Sequence, residues 1–208
     1  MGFKRVLATV LAATVLFSSV PVSAAFSPSD YKGNSYTDSA NTEYHSETIV
    51  TSVITEKGAT VEKVERKDDS TKPSVTIAVA KGKKGETVPV VAIKSNTPFD
   101  ESLEKLIIDS DETVEMKAKA LAKSQISKIF VNGESAKFAK NSLKGSKVKK
   151  IYVSTKTAAT KLTVSSGVGK KVKVYLKKSV WKKLSSSQKK AFKKKVKRLS
   201  GNSKVRFY

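Results

Sequence analysis

Few side chains in this sequence could carry covalent or metal chemistry. There is no Cys and a single His, which excludes disulfides, thiolate-held zinc, iron–sulfur clusters and a cysteine nucleophile. One imidazole, His45, cannot build a multi-histidine metal cage and reads as an ordinary surface or half-buried residue. Gly167-Val168-Gly169-Lys170 has the outline of a phosphate loop, but Val164 stands where the earlier glycine is required. Lys171 occupies the place of the magnesium-binding Ser or Thr, so the segment reads as a flexible turn. Asp109-Ser110-Asp111-Glu112 is a local acidic cluster without the glycine and spaced ligands of a calcium loop, and an exposed turn between strands accounts for it. Glu101 and Glu104 read as surface charges. No catalytic residue, metal or cofactor is expected.

What remains is charge. The 208 residues hold 41 Lys+Arg against 18 Asp+Glu, a formal net charge of +23. Residues 25–134 contain all 18 acids, whereas residues 135–208 carry 24 bases and no acid. Only four of the bases are Arg: Arg5, Arg66, Arg198 and Arg206. Lysine is a mobile, hydrated point charge and arginine the better bidentate reader. The balance favours diffuse attraction to a polyanion over sequence readout; a cationic surface kept for solubility is the other reading.

Two columns of side chains organise part of that charge. If Lys105, Lys128 and Lys150 occupy equivalent places in successive strands, they stack as a lysine ladder. Ile107, Phe130 and Tyr152 then form an apolar and aromatic column beside it, which Tyr175 or Lys173 continues according to register. Like charges directly opposite one another are destabilising, so the ladder is a cost unless an anion or solvent compensates it. Rings beside cations suit an anionic glycan or polyphosphate lying along the column. A covered column, or lysines that merely blunt a sticky sheet face, would explain the same residues.

The elements that must position these columns follow from a repeat. A shift of 22 residues lays Met116–Val131 on Phe138–Val153 with five identities: Leu121/Leu143, Ser124/Ser146, Lys128/Lys150, Ile129/Ile151 and Val131/Val153. A shorter copy runs from Phe99 to Ile108, and a degenerate one passes through Leu162, Val164, Val172 and Val174. A unit this short cannot bury its apolar face alone, so neighbours must stack and share one core. The predicted fold is mainly β with a C-terminal helix (α+β): a short leucine-rich-repeat-like β-solenoid over residues 94–176.

Both ends of such a stack need caps. Thr48–Thr55, Thr60–Glu65, Val75–Ala80 and Val88–Ile93, separated by turn formers that include Asp68-Asp69-Ser70, predict an N-terminal β-meander over residues 48–93. Residues 177–208 predict a basic helical end, the close of a strand-helix-strand cap. Val180, Trp181, Leu184, Phe192, Val196 and Leu199 share one side of a helical projection that breaks at Ser185–Gln188, a capping box. Gly201 is the expected stop, and Lys204–Tyr208 a last strand. Residues 25–47 show no apolar periodicity and are expected to be disordered.

Residues 1–24 read as a signal peptide: Lys4 and Arg5, an uncharged apolar run from Val6 to Val20, and small residues at Val22-Ser23-Ala24. The run is shorter than the roughly 20 residues of a membrane span. A secreted or cell-surface protein, of bacterial source by its lack of Cys, is expected, without a wall-sorting motif at Lys204–Tyr208.

Val88-Pro89-Val90-Val91-Ala92-Ile93 and the run Leu143-Lys144-Gly145-Ser146-Lys147-Val148-Lys149-Lys150-Ile151-Tyr152-Val153 resemble the BspA-type leucine-rich repeats of bacterial surface proteins. An apolar-Phe pair, a Gly-Ser or Gly-Cys turn and an I-x-x-I-x-I strand recur there at this spacing. The lysine-rich end is similar to the terminal segments of secreted members from anaerobic Gram-positive bacteria. The likeness covers residues 48–208, although this chain has few units and weak turn residues in the copy ending at Ile108. It implies a secreted or surface-associated, non-catalytic binding protein; members are often linked to adhesion.

The expected activity is therefore association. Anionic cell-wall or surface polymers are the expected partners of a monomer, with a host or neighbour-cell glycan or protein as a further ligand of the column face. Lys182, Lys183, Lys189, Lys190, Lys193, Lys194, Lys197 and Arg198 are the polyanion-binding candidates on the terminal helices. The alternative is a cationic protein that acts on nucleic acid or anionic membranes through those same lysine-rich amphipathic helices.

Overall fold

A computed structural model describes residues 25–38, 48–67 and 73–208. The expected signal peptide, His45 and the Asp68-Asp69-Ser70 turn lie outside the described residues.

The chain is mainly β, with helices towards its C-terminus. The first strands are Tyr36–Asp38 (β1), Thr48–Thr55 (β2), Gly58–Arg66 (β3), Ser74–Ile77 (β4), Val79–Lys81 (β5) and Thr87–Ile93 (β6). Five short strands follow: Lys105–Ile108 (β7), Thr113–Met116 (β8), Lys128–Val131 (β9), Ser135–Phe138 (β10) and Lys150–Val153 (β11). Helix Lys156–Lys161 (α1) precedes Thr163–Val164 (β12) and Lys173–Leu176 (β13). Helices Lys178–Lys183 (α2) and Ser186–Ser200 (α3) lead to Arg206–Phe207 (β14).

These strands form two sheets. One is mixed, in the order β1-β2-β3-β6-β8-β10-β12 with β5 beside β6; the other is parallel throughout, in the order β14-β13-β11-β9-β7-β4. From β7 to β13 the chain alternates between them, one strand in each. The alternation of types in Lys-Leu-Ile-Ile, Lys-Ile-Phe-Val and Lys-Ile-Tyr-Val decides which side chains turn inward. Leu106, Ile108, Ile129, Val131, Ile151 and Val153 are fully buried in one core with Val114, Met116, Ala136 and Phe138 of the facing sheet. Each large apolar side chain withdrawn in this way contributes about 1.5–3 kcal/mol.

The corners repeat as well as the strands. Ser124 Oγ donates to the Leu121 carbonyl at 3.0 Å, and Ser146 Oγ to that of Leu143 at 2.9 Å. Asn96, Lys119 and Asn141 all adopt left-handed backbone, with φ of 57°, 57° and 59°. Their amides link one corner to the next: Asn96 N–H donates to the Lys119 carbonyl, Lys119 to that of Asn141 and Asn141 to that of Gly167, at 3.1, 2.9 and 2.8 Å.

At the C-terminal end Ser185 and Gln188 form the expected capping box. Gly201 ends α3 with φ 79°, a conformation costly to residues with a Cβ. Phe192, Val196 and Leu199 bury the inner stripe of α3. Arg198 donates from Nη1 to the Val164 carbonyl at 2.7 Å, and Lys195 Nζ to that of Thr160 at 2.6 Å. The helix thereby satisfies carbonyls of edge strand β12 and of α1.

Three expectations need correction. The segments from 48 to 93 are not a meander: only β2–β3 and β5–β6 pair antiparallel, whereas β3 runs parallel to β6 and β4 belongs to the other sheet, parallel to β7. Residues 25–38, expected to be disordered, hold a 3-10 turn at Pro28–Tyr31 and strand β1 against β2. Tyr31 is buried and donates its hydroxyl to Glu86, and Asp38 accepts from the Lys81 amide at 2.9 Å. Helix α1 was not foreseen; Thr155 caps it by accepting from the Ala158 amide.

Candidate functional site

The outward face of the parallel sheet is built by register. Strand pairing sets Lys105 beside Lys128, Lys128 beside Lys150 and Lys150 beside Lys173. Two positions along each strand, Ile107, Phe130, Tyr152 and Tyr175 form the second column, which Arg206 continues. Tyr175, not Lys173, thus extends the aromatic row. Phe130 and Tyr152 stack with ring centroids 4.5 Å apart, and Tyr152 and Tyr175 at 4.8 Å. These separations match the strand spacing, so the stack follows directly from the ladder of hydrogen bonds beneath it.

The two sheets treat their outward lysines differently. On the mixed sheet Lys137 lies beside Glu115 in register and forms an ion pair at 2.9 Å. On the parallel sheet lysine stands on lysine. Among the described residues no ion pair involves Lys105, Lys128, Lys150 or Lys173. Lys105 Nζ lies 5.6 Å from the Phe130 ring centroid, where the ring quadrupole offsets some of the repulsion. Two unit charges about 5 Å apart in water repel by about 1 kcal/mol before salt screening, a modest but unfavourable sum along a ladder.

The C-terminus meets this face. Tyr208 sets its ring edge-on to Tyr152 at 5.3 Å, and its hydroxyl lies 2.8 Å from Ser154 Oγ. Ser154 is also 2.6 Å from Asn132 Oδ1. The aromatic rows are half-buried, with Tyr208 covering one edge of the Tyr152 end.

The terminal helices hold the other expected cations. Lys182, Lys183, Lys190, Lys193, Lys194, Lys197 and Arg198 are exposed and Lys189 is half-buried. Lys189 and Lys193 lie over the Trp181 ring at 5.5 and 5.9 Å, and Arg198 is engaged with Val164. Burial lowers the pKa of the neighbouring Lys195 ammonium. The columns and the helix lysines occupy separate elements and do not form one constellation.

The acidic cluster at Asp109–Glu112 and the glycine-containing segment at Gly167–Lys170 both lie between strands. Ser110 of the acidic cluster is buried and donates to the Val90 carbonyl, as a turn residue does. Gly167 and Gly169 both adopt positive φ in a loop whose Gly167 and Val168 carbonyls accept from Asn141 and Leu143.

A group that the sequence did not bring together lies between columns and cap. Lys149, Lys150, Lys170, Lys171, Lys173 and Arg206 line a cavity of about 440 Å³. Its only advance signal was the local density of Lys; β14, which brings Arg206 to it, is placed by pairing across the whole cap.

Among the described residues no helix is long and apolar enough to cross a membrane. Comparison with protein-family models, curated proteins and solved structures finds no match to the chain.

Proposed function

We propose that this chain is a secreted or cell-surface, non-catalytic binding protein of the BspA-like leucine-rich-repeat type, held on anionic surface polymers by its cationic C-terminal half. The observation that carries the reading is the uncompensated ladder Lys105–Lys128–Lys150–Lys173 beside the stacked Phe130, Tyr152 and Tyr175. A face kept only for solubility gains nothing from like charges in register, and the mixed sheet of the same chain pairs Lys137 with Glu115 instead. The short solenoid that this reading adopts is supported by strand partners 22 or 23 positions apart and by the repeated Ser124 and Ser146 corners.

Association works by counterion release: each lysine that meets an anionic group frees small ions into solution. The aromatic column supplies flat apolar contact for the carbon skeleton between charges, as a host or neighbour-cell glycan would offer. Washing intact producing cells with rising salt tests the reading. Progressive release of the protein is expected, and retention indifferent to ionic strength contradicts it.

Burial of Phe192, Val196 and Leu199 favours this reading over membrane perturbation, which needs that stripe for the acyl boundary. Leakage from anionic vesicles, with a shift of Trp181 fluorescence, would reverse the preference.

A further inference from the structure

Arg206 is the oddest cation in the molecule. Its Nη1 is buried and has no hydrogen-bond partner among the described residues. A buried guanidinium donor left unmet is expensive, and such groups ordinarily have a protein, water or ion partner. Arg206 sits in the last strand, in register with Tyr175, and lines the cavity shared with Lys149, Lys150, Lys170, Lys171 and Lys173. Among the described residues no carboxylate side chain lines that cavity. Lys170 Nζ donates to the Ser146 carbonyl at 2.6 Å, which holds that ammonium at the rim.

The chemistry of the lining is specific in two respects. Six cationic groups come from three separate stretches of chain, the start of β11, the 170–173 segment and β14, and strand pairing sets Lys150, Lys173 and Arg206 on one outward face of the parallel sheet. A compact multi-oxygen anion accepts from several directions at once, and the guanidinium fork matches phosphoryl oxygens in pairs. Val148 and Val172 also line the space, with Ser200 and Asn202 on the cap side. At about 440 Å³ the cavity is of small-molecule size, with room for a phosphoryl group and the carbon unit that bears it.

We propose that this cavity is a binding site for a phosphoryl group carried on a short polyol, with Arg206 as the specific contact and the surrounding lysines as its electrostatic cradle. The choice of ligand rests on the polyanion reading above, and the site gives that diffuse attraction one point of recognition. Polyol phosphate free in solution and the same unit within a polymer share this chemistry.

Calorimetric titration of the purified full chain with sn-glycerol 3-phosphate, with glycerol as the uncharged control, tests the site. One saturable site for the phosphate and none for glycerol are expected. Lys171 and Lys173 are exposed, so Lys171→Gln/Lys173→Gln removes two cavity charges without touching the core. That variant and Arg206→Lys should each weaken binding roughly tenfold. Lys57→Gln/Lys117→Gln, which removes equal charge from two exposed residues outside the cavity, the columns and the terminal helices, should change it less than about twofold. Equal weakening by the two double variants, or absence of a saturable site, overturns the proposal. A parallel titration with poly(glycerol phosphate) separates the sources: tighter binding of the chain than of the monomer assigns the site to a polymer, and equal affinity per unit assigns it to the free polyol phosphate. Salt-dependent retention on the polymer without a saturable monomer site sinks the cavity and spares the wider reading. A saturable site without retention does the reverse.

Discussion

Tyr152 lies on Phe130 with ring planes 6° from parallel, although the two residues are 22 positions apart in the chain. Only in-register parallel strands bring them there, so the pair reports the parallel pairing of β9 with β11. Replacing Tyr152 by Ala should lower unfolding stability by about 1–3 kcal/mol, from lost half-buried area and three ring contacts. Tyr152→Phe should cost far less, because the ring, not the hydroxyl, makes the stack. Urea unfolding of the two variants distinguishes these outcomes, and equal losses would contradict the stacking account.

Lys128 has a lysine on each side in register. Lys128→Thr removes two like-charge contacts and introduces a β-branched residue suited to the strand, so stability should rise by about 0.5 kcal/mol. Retention on an anionic polymer should weaken at the same time. Opposite signs in the two measurements are expected of a residue kept for binding; a variant that is both less stable and equally well retained would mark Lys128 as structural.

The left-handed corners can be read energetically. Lys119 and Asn141 hold φ of 57° and 59°, a region that costs residues with a Cβ about 1–2 kcal/mol, least for Asn. Lys119→Gly should therefore stabilise the protein by about 0.5–1 kcal/mol, and Asn141→Ala should destabilise it by about 1 kcal/mol. Thermal unfolding checks both signs.

The buried Tyr31–Glu86 pair sets a pH window. Burial alone would raise the Glu86 carboxyl, but hydrogen bonds from the Tyr31 hydroxyl and from backbone amides outweigh it and hold the pKa below its ordinary 4.5. Burial, and then the bond to Glu86, raises the Tyr31 phenol above 10.0. The carboxylate's contribution to stability is complete above 4.5 and is lost as pH falls through its lowered folded value. The phenol's is complete below 10.0 and is lost as pH rises towards its raised one. Glu86→Gln should cost about 1–3 kcal/mol at neutral pH and converge on the parent in acid. Urea midpoints across a pH series test this; a constant gap down to the acid limb would contradict it.

The inward positions of β9 and β11 were legible because their signal is the dry interior. Ile129, Val131, Ile151 and Val153 must be apolar wherever they recur, and the lysine and aromatic columns follow from them by alternation. Direction was not legible: alternation in Val75–Ile77 is the same for a meander strand as for a parallel strand of the second sheet, and the pairing of β4 with β7 depends on distant residues. The order in residues 25–38 escaped notice for a similar reason. Tyr31 and Asp38 carry no periodicity, and their partners Glu86 and Lys81 lie more than forty positions away. Arg206 falls in the strand expected at Lys204–Tyr208, but its neighbour in register, Tyr175, is fixed only by the pairing of β14 with β13.

In the proposed function, lysines without acidic partners hold this chain on a polyanion. Its most direct test is the affinity of the full chain for poly(glycerol phosphate) measured across a salt series. A linear fall of log affinity with log salt is predicted, amounting to at least about tenfold between roughly 50 and 200 mM. An affinity that stays level across that range, or no binding at the lowest salt, would contradict it.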